Sequence, residues 1–198
     1  MIKTQIQIAQ SIISTVSGGI FVDERNLSQE KILDKIDEVR EVWVAQKFKE
    51  THYVHPDWVQ KFWPEYDEDI QDASYCVKFK CPSIARLSDR ADGLRYIGAE
   101  DCADDFRRVK SRGQLSTMRH HPAMKVGNKV VALYEAGVIE LISKRSKPFV
   151  PIVIGIFSKP SEIPTFNINT DQYPLDGAGI EFVENYIVTK VSRVEIST

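Results

Sequence analysis

The sequence predicts an α+β fold in which helices and strands are segregated along the chain. Three observations predict it: apolar residues spaced three and four apart from Gln5 to about Phe48, a change to period two from Ser74, and a return to helical spacing from Ala178. The expected division is a helical region with an aromatic and acidic segment over 1–73, a small antiparallel β-domain, meander or sandwich-like, over 74–158, and a proline-spaced connector with a C-terminal helix over 159–198.

In the first helix Ile6, Ala9, Ile13 and Val16 form the expected apolar stripe, and Gly18-Gly19 ends it. The triplet Ile20-Phe-Val22 and the link Asp23-Glu-Arg-Asn26 follow. Ser28 is placed to cap the next helix by accepting a backbone N–H of its first turn. Beyond it Ile32, Ile36, Val39, Trp43 and Gln46 mark one face, widened by Leu33 and Val42. Lys31, Asp34, Lys35, Asp37, Glu38, Arg40 and Glu41 are expected on the opposite, solvated face. A lone helix of this length is marginal in water, so the stripe needs a docking partner.

Between His52 and Asp72 lie Tyr53, Trp58, Phe62, Trp63 and Tyr66, then the acidic run Asp67-Glu-Asp-Ile-Gln-Asp72. Pro56 and Pro64 bracket at most a short helix, with Trp58 and Phe62 four apart. From Ser74, Tyr75, Val77 and Phe79 alternate with Cys76, Lys78 and Lys80 until Cys81-Pro82 interrupts. Further strands are expected at 94–98, 124–126, 130–134, 138–143 and 152–157, with turns at Gly127-Asn128 and Glu135-Ala-Gly137. The segment Ile152 to Phe157 has no polar residue on either face and is expected in the centre of a sheet. Pro160, Pro164 and Pro174 then carry the chain off the sheet, because proline donates no ladder hydrogen bond. A connector as long as 158–174 is expected to be functional or ordered by a partner. Ile180, Val183, Ile187 and Val191 stripe the last helix, with Val188 beside them.

Charge and cysteine usage bound the function classes. The net charge of −2 gives no overall pull toward nucleic acid or anionic membrane. No apolar run reaches the ~18 residues of a membrane span. The opening residues Met1 to Ile8 carry no continuous apolar core, so no signal peptide is expected. An odd cysteine set, Cys76, Cys81 and Cys102, argues for a reducing compartment and structural thiols.

Chemistry-bearing clusters were weighed against blander readings. His52, His55 and Asp57 could ligate a metal, but Pro56 disturbs any helix that would converge them, and surface histidines are the expectation. His120-His121 read the same way. Asp67, Glu68, Asp69 and Asp72 suit a hard cation, yet a solvated acidic loop or a charge partner for another subunit is expected. Together with His52 and His55 they would make a metal-dependent hydrolase. Glu100-Asp101 and Asp104-Asp105 are followed by the basic run Arg107, Arg108, Lys110, Arg112 and Arg119. That run is the candidate nucleic-acid or charge-pairing patch, and as a phosphate-contact surface it would be blind to sequence. No nucleophile elbow, P-loop or dinucleotide fingerprint is present, so no catalytic, cofactor or metal residue is assigned.

An ordered set of motifs carries a resemblance. It comprises Val39-Arg-Glu-Val-Trp-Val-Ala-Gln46, the Cys81-Pro82 break, Asp92-Gly-Leu-Arg-Tyr-Ile-Gly98, Val126-Gly-Asn-Lys-Val-Val131, Gly155-Ile-Phe-Ser-Lys-Pro160 and Tyr173-Pro-Leu-Asp176. In this order the chain resembles the neck ring proteins of crAss-like tailed bacteriophages, over roughly Gln29 to Val191. Ser158-Lys159 stands where that family leads one to expect an acidic pair. The resemblance implies a non-enzymatic structural protein without cofactor. Identical subunits would close into rings, commonly of twelve, between portal and tail around the genome-exit channel. The implied partners are portal, other neck rings or tail proteins, with genomic DNA passing through without sequence-specific binding and no membrane. The implied location is the virion neck, after assembly in the host cytoplasm. On this reading Ile32, Ile36, Trp43, Trp58, Phe62, Trp63, Phe166 and Tyr173 are the candidate subunit or partner interface.

Overall fold

The computed structural model describes residues 3–18, 28–64, 76–89, 91–98, 106–120, 130–142 and 152–196. Thr4 opens helix α1 (Gln5–Val16) with a reciprocal capping box: its hydroxyl accepts from the Gln7 N–H, and Gln7 Oε1 accepts from the Thr4 N–H at 3.0 Å. The helix buries Gln5, Ile8, Ala9 and Ile12, while Ile6, Ile13 and Val16 are half-buried. The inward face is therefore rotated from the expected stripe. Residues 5, 8, 9 and 12 do form a helical set, but its first member is a glutamine, which hydropathy assigns to solvent.

Ser28 caps helix α2 (Gln29–Thr51) as expected, its hydroxyl accepting from the Lys31 N–H at 3.4 Å. The helix ends where His52 adopts a left-handed conformation, φ 53°, and donates its N–H to Phe48 O at 2.8 Å. The C-terminal helix α4 (Gly177–Ile196) buries Ile180, Val183 and Ile187, three members of the expected stripe, and half-buries Val188 and Val191. It packs against both α1 and α2.

Gly179 allows that approach. A Cβ there would lie 2.6 Å from Trp43 Nε1 and 2.6 Å from Leu175 Cγ. Trp43 cannot easily give way, because its ring is stacked on Phe182 with centroids 4.7 Å apart. Gly179→Ala is expected to lower stability by about 1–3 kcal/mol through overpacking, outweighing a helix-propensity gain of roughly 1 kcal/mol. Thermal melting followed at 222 nm checks this, and an unchanged or raised midpoint contradicts it.

The described strands form two sheets. In the first, β1 (Gln60–Phe62), β7 (Ile152–Gly155) and β3 (Leu94–Gly98) lie in the order β1-β7-β3, so the apolar β7 is central as expected. The second has the order β2-β6-β5-β4, from β2 (Cys76–Lys80), β6 (Val138–Ile142), β5 (Val131–Glu135) and β4 (Arg107–Val109). Its β5–β6 hairpin turns on Ala136 and Gly137, at φ 49° and 76°. Two left-handed central residues make the tight turn whose twist matches the strands it joins.

The α+β class, with N-terminal helices and a C-terminal helix, is present. The β region corrects the simple antiparallel meander: β4 pairs in parallel with β5, and helix α3 (Arg112–His120) follows β4 where only a basic segment was expected. Leu115 of α3 is buried with Val109, Val131, Leu133 and Ile142, and Met118 packs against them. The short helix expected to carry both Trp58 and Phe62 is also corrected. Pro56–Trp58 is a single 3₁₀ turn and Phe62 belongs to β1. The expected elements at 20–22, 66–72 and 124–128 lie outside the described residues.

The contacts group the chain into two compact units that are discontinuous in sequence, rather than three consecutive segments. One comprises Met1–Gln60, Ala85–Gly93 and Phe157–Thr198; the other comprises Lys61–Ile84 and Leu94–Ile156. The two ends of the sequence share a unit because α4 needs the apolar faces of α1 and α2. Among the described residues no helix is long and apolar enough to cross a membrane.

Candidate functional site

The centre of the helical unit is one turn of α2 that the sequence assigns to solvent. Arg40 is 0% exposed and Asp37 is 1% exposed. Three residues apart, they share one helix face. The Arg40 guanidinium spreads its donors over three backbone segments: Nε donates to Pro174 O at 2.9 Å, Nη1 to Phe157 O at 2.7 Å and Nη2 to Trp58 O at 3.2 Å. Only arginine offers donors in such a fixed fork. Asp37 accepts from the Tyr173 hydroxyl at 2.7 Å and Gln5 Nε2 at 3.1 Å on Oδ1, and from the Ser161 hydroxyl at 2.9 Å on Oδ2.

Burial raises the Asp37 carboxyl above its usual range, opposed by the hydrogen bonds from Tyr173 and Ser161 and by the charge of Arg40. Burial also lowers the Arg40 guanidinium, opposed by Tyr173 and Asp37. The Tyr173 hydroxyl is pushed well above its ordinary value by burial first, and then by the neighbouring Asp37 charge. Enclosure of all three side chains keeps substrate away, so what this cluster does is hold backbone in place. It fixes both ends of the proline-spaced connector to α2.

This placement corrects much of the expected interface. Ile32, Ile36, Trp58, Phe62 and Tyr173 are all buried within their own chain. Trp58 donates its indole N–H to Asp176 Oδ1 at 2.9 Å, and Tyr173 faces the clasp. The connector is likewise ordered by its own chain rather than by a partner: Pro160, Ile163, Tyr173, Pro174 and Leu175 are buried. Trp63 remains exposed at 41%, and Phe166 and Trp43 are half-buried.

Of the expected interface, Trp43 belongs to an edge along α2 and α4 whose other rings, Phe182 and Tyr186, sequence reasoning missed. Trp43 stacks on Phe182, and Phe182 meets Tyr186 with centroids 5.8 Å apart. Lys47 sits 4.7 Å over Trp43, and Lys190 sits 5.7 Å over Tyr186. Val42 is 57% exposed on α2 and Tyr186 is 38% exposed on α4. The available signal was Phe182 and Tyr186, four apart and off the expected stripe of α4.

The basic run does not converge. Arg107 and Arg108 are neighbours on β4, where successive side chains point to opposite faces. Arg108 Nη1 donates to Leu94 O at 2.9 Å. Arg112 is engaged by Glu135 at 2.6 Å and Glu140 at 3.5 Å. Lys110 is exposed, and the side chain of Arg119 lies outside the described residues.

His52 terminates α2, and His55 Nδ1 accepts from the Asp57 N–H at 3.3 Å to cap the 3₁₀ turn. Among the described residues no three His, Cys, Asp or Glu side chains group to hold a metal. The Asp67 and Asp104 clusters, His121, Cys102 and the side chains of Cys76 and His120 lie outside the described residues. Cys81 is buried with a free thiol, which burial pushes up to about 12. It is expected to resist iodoacetamide at pH 8 in the folded protein and to react once urea unfolds it. Peptide mass mapping reads this out, and rapid native labelling of Cys81 contradicts it. In comparison with known proteins, the chain matches no family model and no curated protein sequence.

Proposed function

We propose that this chain is a structural subunit of a tailed-bacteriophage neck, in which identical copies, twelve in the family it resembles, close into a ring between portal and tail around the genome-exit channel. It acts without catalysis or cofactor, contacts portal, other neck ring or tail proteins, and lets DNA pass without reading its sequence. Its place is the virion neck, reached after assembly in the host cytoplasm. The ordered motifs from Val39 to Asp176 suggest this reading, and one observation carries it: the aromatic edge Trp43-Phe182-Tyr186 on the surface of the helical unit. Its rings are already held by stacking and by Lys47 and Lys190, so a neighbour meets a fixed surface and little side-chain entropy is lost on contact. A closed ring needs two different faces per subunit, and this edge supplies one.

The alternative of a nucleic-acid-binding module on Arg107, Arg108, Lys110 and Arg112 draws no comparable support. Its cations diverge, and Arg112 is held by two carboxylates.

Mass photometry and negative-stain imaging test the proposal, with the full chain alone and mixed with portal. Rings or portal-bound arrays are expected. The double variant Val42→Glu, Tyr186→Glu should abolish them while leaving the far-ultraviolet spectrum unchanged and lowering the melting midpoint only slightly, because Val42 is largely exposed and Tyr186 gives up only surface ring contacts. A wild-type protein that stays monomeric and ignores portal and tail partners overturns it.

A further inference from the structure

The connector is tied in an unusual way. Arg40 binds Phe157 O, just before the connector, and Pro174 O, at its last residue, and Asp37 binds Ser161 and Tyr173 within it. One turn of α2 therefore closes the loop 158–173 from both sides. Within the loop the hydrogen bonds are local. Ile163 donates its N–H to Pro160 O at 3.1 Å, Phe166 to Ile163 O at 2.9 Å and Asp171 to Asn167 O at 2.9 Å. The Asn167 N–H donates to Asp171 Oδ2 at 2.8 Å. The loop thus maintains its own shape. Beyond the clasp, its outward ties include Ser158 to Glu41, Ile6 N–H to Ile168 O and Tyr173 N–H to Lys3 O. Pro160, Ile163 and Tyr173 are its buried apolar contribution.

A segment that is coherent internally, fastened to α2 near its two ends and tied to α1 at Ile168, can open as a contiguous cooperative unit below the free energy of global unfolding. We propose that residues 158–173 form a latch that leaves α2 and loses its internal hydrogen bonds as one cooperative unit, with the Asp37–Arg40 turn as its catch, withholding the apolar surface of Ile163 and Tyr173 until it opens. The latch does not depend on ring formation and is tested on the isolated chain.

Native-state hydrogen exchange in low urea addresses it directly, using the amides of Glu162, Ile163, Phe166, Asp171 and Tyr173, all hydrogen-bonded in the closed form. Their opening free energies are expected to converge on one value below that of the α2 amides around Val44. Tyr173→Phe removes a neutral donor to a buried carboxylate and should speed exchange of all five about tenfold. Ser161→Ala should act in the same direction by a smaller factor. Exchange around Val44, which needs wider unfolding, should speed by no more than the same factor, so its opening free energy stays above that of the loop. Five unrelated rates, exchange of the loop only together with α2, or acceleration confined to residues beside each substitution would overturn the latch.

Discussion

Arg40→Met is expected to destabilise the helical unit by about 3–5 kcal/mol, the range for removing one partner from a buried charged network. Methionine fills similar space but donates nothing. Three buried carbonyls, on Trp58, Phe157 and Pro174, then lose their donor, and Asp37 loses the nearby positive charge. Unsatisfied buried acceptors carry their full desolvation cost, which is why this loss exceeds the worth of any one hydrogen bond. Against a typical total of about 5–15 kcal/mol, the change removes a large share of the folding free energy. Arg40→Lys is expected to recover little, since an ammonium on a flexible stem does not reproduce the guanidinium fork. Urea titration followed by helical circular dichroism measures both. A loss below about 1 kcal/mol would mean that the three segments hold together without the clasp.

Trp58→Ala is expected to cost about 3–5 kcal/mol, as for other large aromatic-to-alanine changes in a core. Besides a cavity, it removes the 2.9 Å hydrogen bond to Asp176, leaving that oxygen with the weaker 3.5 Å contact from Trp43. The effect should therefore appear in the folding of the single chain. As candidate interface residues, Trp58 and Phe62 would matter more to assembly than to folding, and their burial reverses that order. Trp63→Ala is the contrast. Its side chain is 41% exposed, so stability should change by no more than about 0.5 kcal/mol. Equal losses at Trp58 and Trp63 would contradict this division between core and surface.

How much of this was legible depended on whether a residue's local pattern matched its tertiary use. Ser28, the apolar run of β7, the Ala136-Gly137 turn and the stripe of α4 act through local rules, and each was readable. The clasp was not, because isolated Asp37 and Arg40 belong to water and only partners distant in sequence, from Gln5, Trp58 and the connector, make their burial tolerable. A trace existed: Ile32, Ile36, Arg40 and Val44 follow one row at spacing four, so Arg40 interrupts an apolar ridge. The expected stripe continued instead through Val39, Trp43 and Gln46, which pass from buried through half-buried to exposed. Strand β4 has three residues, too few for any period, and its two arginines have low strand preference on hydropathy alone. In α3, Leu115 and Met118 are the apolar contacts of an otherwise polar helix. Trp58 and Phe62 are four apart by coincidence, since the chain changes from a 3₁₀ turn to a strand between them.

Among the described strands, β4 and β2 form the two margins of the four-stranded sheet, and this gives their cations a second meaning. One margin carries Arg107 and Arg108, and the other carries Lys78 and Lys80. A sheet margin is open to backbone pairing with another molecule, and charge placed there discourages it. Bringing these margins together between copies would set guanidinium and ammonium groups side by side. Continuous sheet extension from molecule to molecule is thereby disfavoured, and crowded copies are left to meet through side chains on other surfaces.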